Sequence, residues 1–219
     1  MHDLKEEEQE VWRMKRMIKM NLKRYFCPPD TTLKMYKIGR VLGKGAYGKV
    51  NIAIQKLSKK ICAVKSINMK KVKSEVAVKR ITNEREILKD LRHPYIVKLY
   101  ESIRDEAMGY ELLFMELCTG GDMLHYLRRR RRLDENMAKL FMKQLVTGLG
   151  YLHAKNIAHR DIKLENVLLS NLGKVKICDF GVSVLMTQKM KNGSGITDCC
   201  GTPAYMAPEV IRVSEQRKE

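Results

Sequence analysis

The sequence has 219 residues, of which 44% are hydrophobic and 31% charged, and its formal net charge is +18 at pH 7. This composition is typical of a globular chain with one substantial domain or two small lobes, and it excludes disordered, collagen-like and fibrous proteins. The excess of lysine and arginine favours anionic partners such as nucleotides, nucleic acid, acidic proteins or acidic membranes. Because the sequence has no long uncharged apolar run and no signal-peptide pattern, we expect an intracellular protein of the cytoplasm, with the nucleus as the alternative.

Residues 1–35 are predicted to form an N-terminal extension. Apolar residues recur there at helical spacing between basic residues, at Val11, Met14, Ile18 and Leu22. A double proline at positions 28 and 29 ends any helix. The pattern suits a partner groove, an anionic membrane surface or an acidic, calmodulin-like partner. The alternative that we keep open is a helix packed on its own domain or frayed from it.

The next part of the chain is predicted to form a small sheet with one helix. Short runs rich in valine and isoleucine predict strands over 36–42, 49–54, 61–67, 96–103 and 110–115. Helical periodicity, stopped by a His-Pro pair, predicts a helix over 76–91. Two more helices are predicted over 123–129 and 134–154, and Asp134 is the expected N-cap of the second.

A glycine-rich loop separates the first two predicted strands. Its glycines, Gly43, Gly45 and Gly48, let the backbone approach phosphate oxygens. Such a loop alone is weak evidence, since glycine turns are common and a dinucleotide fold also uses one; here a strand follows instead of a helix, which argues against the dinucleotide fold. One strand later, Lys65 lies in an apolar run, where a buried ammonium needs an anionic partner such as a phosphate or a helix glutamate.

Three motifs near the end of the chain decide between these alternatives. They are His159-Arg160-Asp161 with Asn166 in the same loop, Asp179-Phe180-Gly181, and Ala207-Pro208-Glu209. With the glycine loop and Lys65, their order resembles the eukaryotic protein kinases from about residue 36 to the end. The resemblance implies an α+β, bilobal fold, with a small lobe of a five-stranded antiparallel sheet and one helix (36–117) and a mainly helical large lobe (118–219).

The resemblance also implies an ATP site. The three loop glycines would cover the triphosphate, and Lys65 would contact the α- and β-phosphates. Spacing from the His-Pro pair makes Glu84 the expected helix partner of Lys65, with Glu86 as the competitor. The remaining nucleotide-site residues would supply the apolar walls, the back of the pocket, the hinge backbone and a ribose contact; they are Leu42, Val50, Ala63, Leu168, Met115, Glu116, Cys118 and Asp122.

In the implied reaction, Asp161 orients the substrate hydroxyl and accepts its proton, while Lys163 compensates charge on the transferring phosphoryl group. Asn166 and Asp179 would hold two Mg²⁺ ions. Lys163 and the Gly-Thr-Pro sequence at 201–203 resemble the serine/threonine class, and Thr202 is expected to hydrogen-bond Asp161 and Lys163.

The resemblance extends to regulation and partners. Arg160 is expected to pair with a phosphate on the activation segment, where Ser194 and Thr197 are candidate sites and Asp198 occupies the usual phosphosite position. The rest of the sequence is most similar to the calcium/calmodulin-dependent and AMP-activated kinase group. Asp122 and Glu165 then suggest a protein substrate with a basic residue near the target, and an upstream activating kinase is a further expected partner.

Arg128 to Arg132 form an uninterrupted arginine run, which predicts either a solvated surface or a docking patch for an acidic partner. The run lacks aromatic interleaving, which disfavours nucleic-acid binding. The chain ends ten residues after Glu209, whereas further helices follow in relatives, so we expect an incomplete large lobe with uncovered apolar residues on the 134–154 helix. We therefore keep an inactive, truncated kinase that binds nucleotide or partners as the alternative to an active enzyme.

Overall fold

The computed structural model describes residues 2–25, 31–45, 48–186 and 200–215. The chain divides into two compact units, one made of Met1–Val72 with Tyr100–Leu117 and the other of Lys73–Leu99 with Cys118–Glu219. None of the described helices has the length and apolar character needed to cross a bilayer.

The first unit contains a long helix, α1 (His2–Tyr25), and a five-stranded sheet. The strands are β1 (Tyr36–Lys44), β2 (Gly48–Gln55), β3 (Ile61–Asn68), β4 (Leu99–Asp105) and β5 (Tyr110–Met115). They lie in the order β1-β2-β3-β5-β4, and the pairs β1–β2, β2–β3 and β3–β5 are antiparallel. The predicted five-stranded antiparallel sheet is confirmed.

The two faces of this sheet have different surroundings. On one face, Cys62, Val64 and Phe114 belong to a buried cluster that also includes Tyr36 of β1. The Tyr36 ring stacks on Phe114, with ring centroids 3.8 Å apart. Met14 of α1 belongs to the same buried cluster. Because side chains alternate between faces along a strand, the neighbouring positions of β3 project to the opposite face.

Helix α1 lies against the sheet through one stripe. The least exposed described positions of the helix are spaced three or four residues apart, at Glu7, Glu10, Val11, Met14, Ile18 and Asn21. Met14 is only 7% exposed. Of the alternatives that the sequence leaves open, the structure has the helix packed on its own domain. Leu22 differs from the predicted stripe, since it is 45% exposed.

The second unit is mainly helical. Its helices are α2 (Glu75–Asp90), α3 (Met123–Arg130), α4 (Glu135–Ala154) and α5 (Pro208–Glu215). Two short antiparallel pairs join β6 (Ile157–Ala158) to β9 (Val184–Leu185) and β7 (Val167–Leu169) to β8 (Val175–Ile177). The side chain of Asp134 accepts a hydrogen bond from the Met137 N–H, so this predicted N-cap is confirmed.

One predicted strand begins later than expected. Residues 96–98 do not join the sheet, because Ile96 forms an isolated bridge with Ile177 and the Val97 N–H donates to the Ile177 carbonyl at 2.9 Å. Both side chains are buried, at 1% exposure for Ile96 and 3% for Val97. Their apolar character therefore reflects packing in the second unit, and β4 starts at Leu99.

Helix α4 exposes several large apolar side chains, as the sequence predicts. Leu140, Met142 and Val146 are 48%, 55% and 60% exposed. The opposite side of the helix packs normally, since Phe141 lies in a buried cluster with Met123.

Candidate active site

The catalytic-loop candidates form one hydrogen-bonded cluster in the second unit. The Asp161 carboxylate accepts from Thr202 Oγ1 at 2.7 Å and from Asn166 Nδ2 at 2.9 Å, and it pairs with Lys163 Nζ at 2.9 Å. Lys163 Nζ also donates to Thr202 Oγ1 at 2.7 Å. The predicted bonds of Thr202 to Asp161 and Lys163 are thus confirmed, and four side chains from two separate loops hold one another in place.

The charges in this cluster support each other. Burial disfavours ionisation of Asp161, but hydrogen bonds from Lys163, Thr202 and Asn166 outweigh it and hold the pKa of the carboxyl below its ordinary value. Burial likewise opposes the charge of Lys163, yet Asp161 raises the pKa of the ammonium above its ordinary value. At neutral pH the carboxylate and the ammonium are therefore both charged.

A buried histidine contacts both the loop of Asp161 and the segment before Asp179. His159 is 2% exposed; its Nδ1 accepts the Asp161 N–H at 3.3 Å, and its Nε2 lies 3.0 Å from the Cys178 carbonyl. Its ring contacts Phe180 edge to face, with centroids 4.9 Å apart. Burial lowers the pKa of His159, so the neutral ring with its proton on Nε2 satisfies both contacts. The histidine thereby links the loop of Asp161 to the segment before Asp179.

Two residues near this cluster, one in each of the HRD and DFG motifs, have strained backbones. Arg160 has φ 69° and Asp179 has φ 61°, values in the left-handed region that non-glycine residues seldom adopt. The Arg160 Nε donates to the Val182 carbonyl at 2.6 Å. Its Nη1 is buried, and no described residue hydrogen-bonds to it. Ser194, Thr197 and Asp198, which the sequence connects with this arginine, lie outside the described residues.

Helix α2 brings a buried carboxylate to the same unit. Glu84 is 3% exposed, and a Cβ built on Gly181 would lie 3.3 Å from Asp179 Oδ1 and 3.9 Å from Glu84 Oε2. Both carboxylates therefore flank Gly181. Its competitor Glu86 is exposed and pairs with Arg85 and Lys89. The pKa of Glu86 is accordingly lowered by hydrogen bonds from Lys89 and Arg85.

Two residues that sequence reasoning missed connect α2 to the segment after Gly181. Asn83 Nδ2 donates to the Ser183 carbonyl at 2.6 Å, and Ser183 Oγ donates to the His159 carbonyl at 3.1 Å. Ser183 is 2% exposed. A hydrogen bond to a backbone carbonyl 100 residues away leaves no local pattern in the sequence. The one available signal was the position of Asn83 beside Glu84.

In the first unit, the predicted nucleotide residues lie on the sheet face opposite α1. Val50 pairs with Lys65 and Ala63 with Met115 across neighbouring strands, so all four project to one face. The Gly45 N–H donates to the Gly48 carbonyl at 2.9 Å and closes the glycine hairpin. Leu42 ends this face at the edge of the sheet and is 41% exposed.

The comparisons with known proteins agree with this geometry. The sequence profile of the protein kinase domain matches residues 36–219. The chain belongs to the protein kinase domain family. This membership, together with the described sheet and helices, confirms the predicted α+β protein-kinase fold.

Three similar proteins are named as kinases, one of them as a serine/threonine-protein kinase. NUAK family SNF1-like kinase 1 of Mus musculus is 39% identical over 176 residues, which cover 80% of this chain and 26% of that protein. CBL-interacting protein kinase 4 of Oryza sativa subsp. japonica is 40% identical over 186 residues, covering 84% and 40%. CBL-interacting serine/threonine-protein kinase 7 of Arabidopsis thaliana is 40% identical over 185 residues, covering 84% and 42%.

These relatives confirm the predicted similarity to the calcium/calmodulin-dependent and AMP-activated kinase group. The chain spans 26–42% of the length of the three relatives that it matches.

The remaining kinase-site candidates lie at the end of the first unit and in the second unit. Asp122 caps α3, with its Oδ1 accepting the His125 N–H at 2.7 Å, and it forms a bridge with Leu168. Cys118 is partly exposed, and so is Glu116 at the end of the first unit. The described residues hold no cluster of three or more histidine, cysteine or acidic side chains that would form a protein-only metal cage.

Proposed function

We propose that this protein is an ATP-dependent serine/threonine kinase that transfers the γ-phosphoryl group of MgATP to protein hydroxyls. The observation that carries the proposal is the cluster of Asp161, Lys163, Asn166 and Thr202. Phosphoryl transfer needs positioning and charge neutralisation more than covalent chemistry. A fixed carboxylate beside a fixed ammonium meets both needs.

Asp161 is the residue that we assign to the substrate hydroxyl. Its lowered pKa keeps it ionised, so it can accept a hydrogen bond from the hydroxyl and then its proton. Lys163 would balance charge on the moving phosphoryl group, and Thr202 fixes the distance between these two side chains. Family membership and the Lys163–Thr202 bond support serine or threonine as the target.

Asn166 and Asp179 suit a magnesium ion. Asn166 Nδ2 donates to both the Asp161 carbonyl and its carboxylate, which leaves the amide oxygen as the group that can face a cation. An amide oxygen and a carboxylate are the hard ligands that Mg²⁺ prefers, and nucleotide phosphates and water complete its shell in proteins. When bound, magnesium would neutralise charge on the phosphates.

The proposal assigns nucleotide contacts to residues of each unit. In the first unit, Gly43, Gly45 and Gly48 would cover the phosphates and Lys65 would contact them. In the second unit, Glu84 is the helix carboxylate that we propose for the kinase ion pair. The sheet face opposite α1 supports this assignment, as do the burial of Glu84 and the exposure of Glu86. The adenine and ribose contacts are proposed for Leu42, Val50, Ala63, Leu168, Met115, Glu116, Cys118 and Asp122.

The finer assignments rest on individual exposed or buried charges. Glu165 is exposed, and we propose that it and Asp122 favour a basic residue near the target hydroxyl. The buried Nη1 of Arg160, to which no described residue hydrogen-bonds, supports control by an upstream kinase through a phosphate on the activation segment. We propose the cytoplasm as the compartment.

The test combines binding with transfer. Titration with a fluorescent ATP analogue should give a saturable, Mg²⁺-dependent signal that Lys65→Met weakens and Lys34→Met, on an exposed lysine, leaves unchanged. Labelled phosphate should then appear on serine and threonine peptides but not on tyrosine peptides. Binding without transfer would favour the nucleotide-binding module, and absence of both would overturn the proposal.

A further inference from the structure

The charges of helix α1 are divided along its length: its carboxylates lie in the first half and its exposed cations lie mainly in the second half. Oε2 of Glu7 lies 3.2 Å from Nζ of Lys37, and Oε2 of Glu10 lies 2.6 Å from Nζ of Lys56. Residues 11–25 contain no carboxylate and six cations, all with exposed side chains: Arg13, Lys15, Arg16, Lys19, Lys23 and Arg24. The sheet therefore partly neutralises the first half of the helix, and the second half presents positive charge outward.

The outward face also carries the only tryptophan of the chain. Trp12, Arg16, Lys19 and Lys23 are spaced four, seven and eleven residues from the first, which places them on one side of the helix. Trp12 is 59% exposed, and the Arg16 guanidinium lies 5.4 Å from the centre of its ring. This side is opposite the buried Met14, because at 3.6 residues per turn positions 12, 16, 19 and 23 lie about 140–180° around the helix from position 14.

An exposed methionine widens this outward surface. Met20 is 61% exposed and lies about 80° around the helix from Trp12, whereas Met17 lies about 60° from Met14, at the flank of the buried stripe. Trp12, Arg16 and Met20 are among the residues that line a shallow groove. The surface therefore combines a flexible apolar side chain, one aromatic ring and a single sign of charge. We call it the outer face of α1, defined by Trp12, Arg16, Lys19, Met20 and Lys23.

This combination points to lipid more than to a helix-binding protein. A protein groove that takes an amphipathic helix reads an apolar stripe at three- and four-residue spacing. In α1 that stripe, centred on Met14, is already buried against the sheet. Tryptophan prefers the headgroup level of a bilayer, and clustered lysine and arginine are attracted to anionic headgroups.

We propose that the outer face of α1 docks on a membrane surface rich in anionic phospholipids. The helix would lie flat, with Trp12 and Met20 at headgroup depth and the cations against the phosphates. The Met14 side chain stays packed against the sheet, so docking does not require α1 to detach from its own domain. The site is independent of the proposed kinase reaction, and it would bring that reaction to a membrane.

Trp12 serves as a built-in probe for the test, because all tryptophan emission of the full chain comes from it. Vesicles of phosphatidylcholine with about one third phosphatidylserine should shift the emission to the blue, protect it from acrylamide and sediment the protein. Neutral phosphatidylcholine vesicles should not. Raising the salt to about 1 M, where the Debye length is about 3 Å, should reverse the binding.

A charge-reversed variant locates the surface. Lys19→Glu with Lys23→Glu should weaken partitioning into the anionic vesicles by about tenfold or more. Lys71→Glu with Lys73→Glu makes the same change in net charge on exposed lysines elsewhere and should change it by less than about threefold. Circular dichroism establishes that both variants keep their helices.

Three outcomes would overturn the proposal. The first is wild-type protein that shows no shift of Trp12 emission with anionic vesicles, which needs no variant to interpret. The second is sedimentation without a shift, or an equal loss in both variants, since binding would then lie elsewhere or reflect total charge. The third is a Trp12 shift with a soluble acidic protein such as calmodulin and none with vesicles.

Discussion

The loop around Asp161 and the contact between α1 and the sheet are held together in different ways. Asp161, Lys163, Asn166 and Thr202 form mutual hydrogen bonds of 2.7–2.9 Å in a partly buried site. Helix α1 depends on one buried methionine and on ion pairs at the surface. Loss of one member therefore leaves the others of the loop with unmet polar groups, whereas most positions of α1 can change at little cost.

The largest effect is expected at Asp161. Asp161→Asn should lower phosphoryl transfer by about 10²–10⁴-fold, because an amide cannot accept the proton of the substrate hydroxyl. Nucleotide binding should persist, measured with the same fluorescent analogue. Asp90→Asn makes the identical change at an exposed site and should keep full turnover. An active Asp161→Asn protein would show that the proton acceptor is another residue.

Met14 carries the largest expected effect on stability. Met14→Ala should reduce the free energy of unfolding by about 2–5 kcal/mol, since it leaves a cavity beside Tyr36 and Phe114. Met20→Ala, at a position 61% exposed, should stay within about 0.5 kcal/mol. Urea unfolding followed by Trp12 emission measures both. Equal, small effects would mean that α1 is not packed on the sheet in solution.

Thr202 tests whether the loop behaves as one unit. Thr202→Val removes the hydroxyl that joins Asp161 to Lys163, and we expect a loss of about 1–3 kcal/mol in transition-state stabilisation. This corresponds to roughly fivefold to 150-fold in turnover. Thr147→Val also removes a hydroxyl bond, to the Lys143 carbonyl on the exposed side of α4, and should leave turnover unchanged. A similar loss in both variants would contradict the special role of Thr202.

The smallest expected effect is a pH dependence of stability through His159. Its folded pKa is lowered, first by burial, so the stability that the neutral ring allows is present above the ordinary histidine pKa and is lost as the pH falls through the folded value. The melting temperature should therefore drop on acidification below about pH 6.5. His93, whose pKa burial also lowers, contributes in the same direction.

Two variants separate the contribution of His159 from that of other histidines. His159→Gln should flatten the acid side of the melting curve, although it lowers the melting temperature itself. His153→Gln, at an exposed position of α4, should leave the slope as in the wild type. If both curves keep the wild-type slope, burial of His159 does not govern it.

The sequence predicts the bounds of helices and strands better than the segments that they pair with or pack against. Glycine and proline mark the ends of strands and helices locally, which is why the predicted bounds of α2, α3, α4 and β5 lie within one residue of the observed ones. Residues 96–98 were assigned wrongly because their pairing with Ile177 is distant in sequence. The covered face of α1 was likewise undecided, since an amphipathic stripe does not say what covers it.

The site shows the same limit. The residue types around Asp161 follow from the motifs, and so does the bond of Thr202 to Asp161 and Lys163. Helical spacing alone did not separate Glu84 from Glu86; the two differ in burial, which depends on packing far along the chain. The positive φ angles of Arg160 and Asp179 have no signature in their residue types.

The three glycines of the loop differ in what their replacement during evolution would reveal about ATP binding. A Cβ on Gly48 would collide with the Ser66 carbonyl, whereas one on Gly43 or Gly45 meets nothing within 4 Å among the described residues. Gly48 is therefore required by the close approach of β2 to its antiparallel neighbour β3, even in a descendant that has lost ATP binding. In such a lineage positions 43 and 45 would drift first, so their identity, more than that of Gly48, records whether nucleotide binding is still under selection.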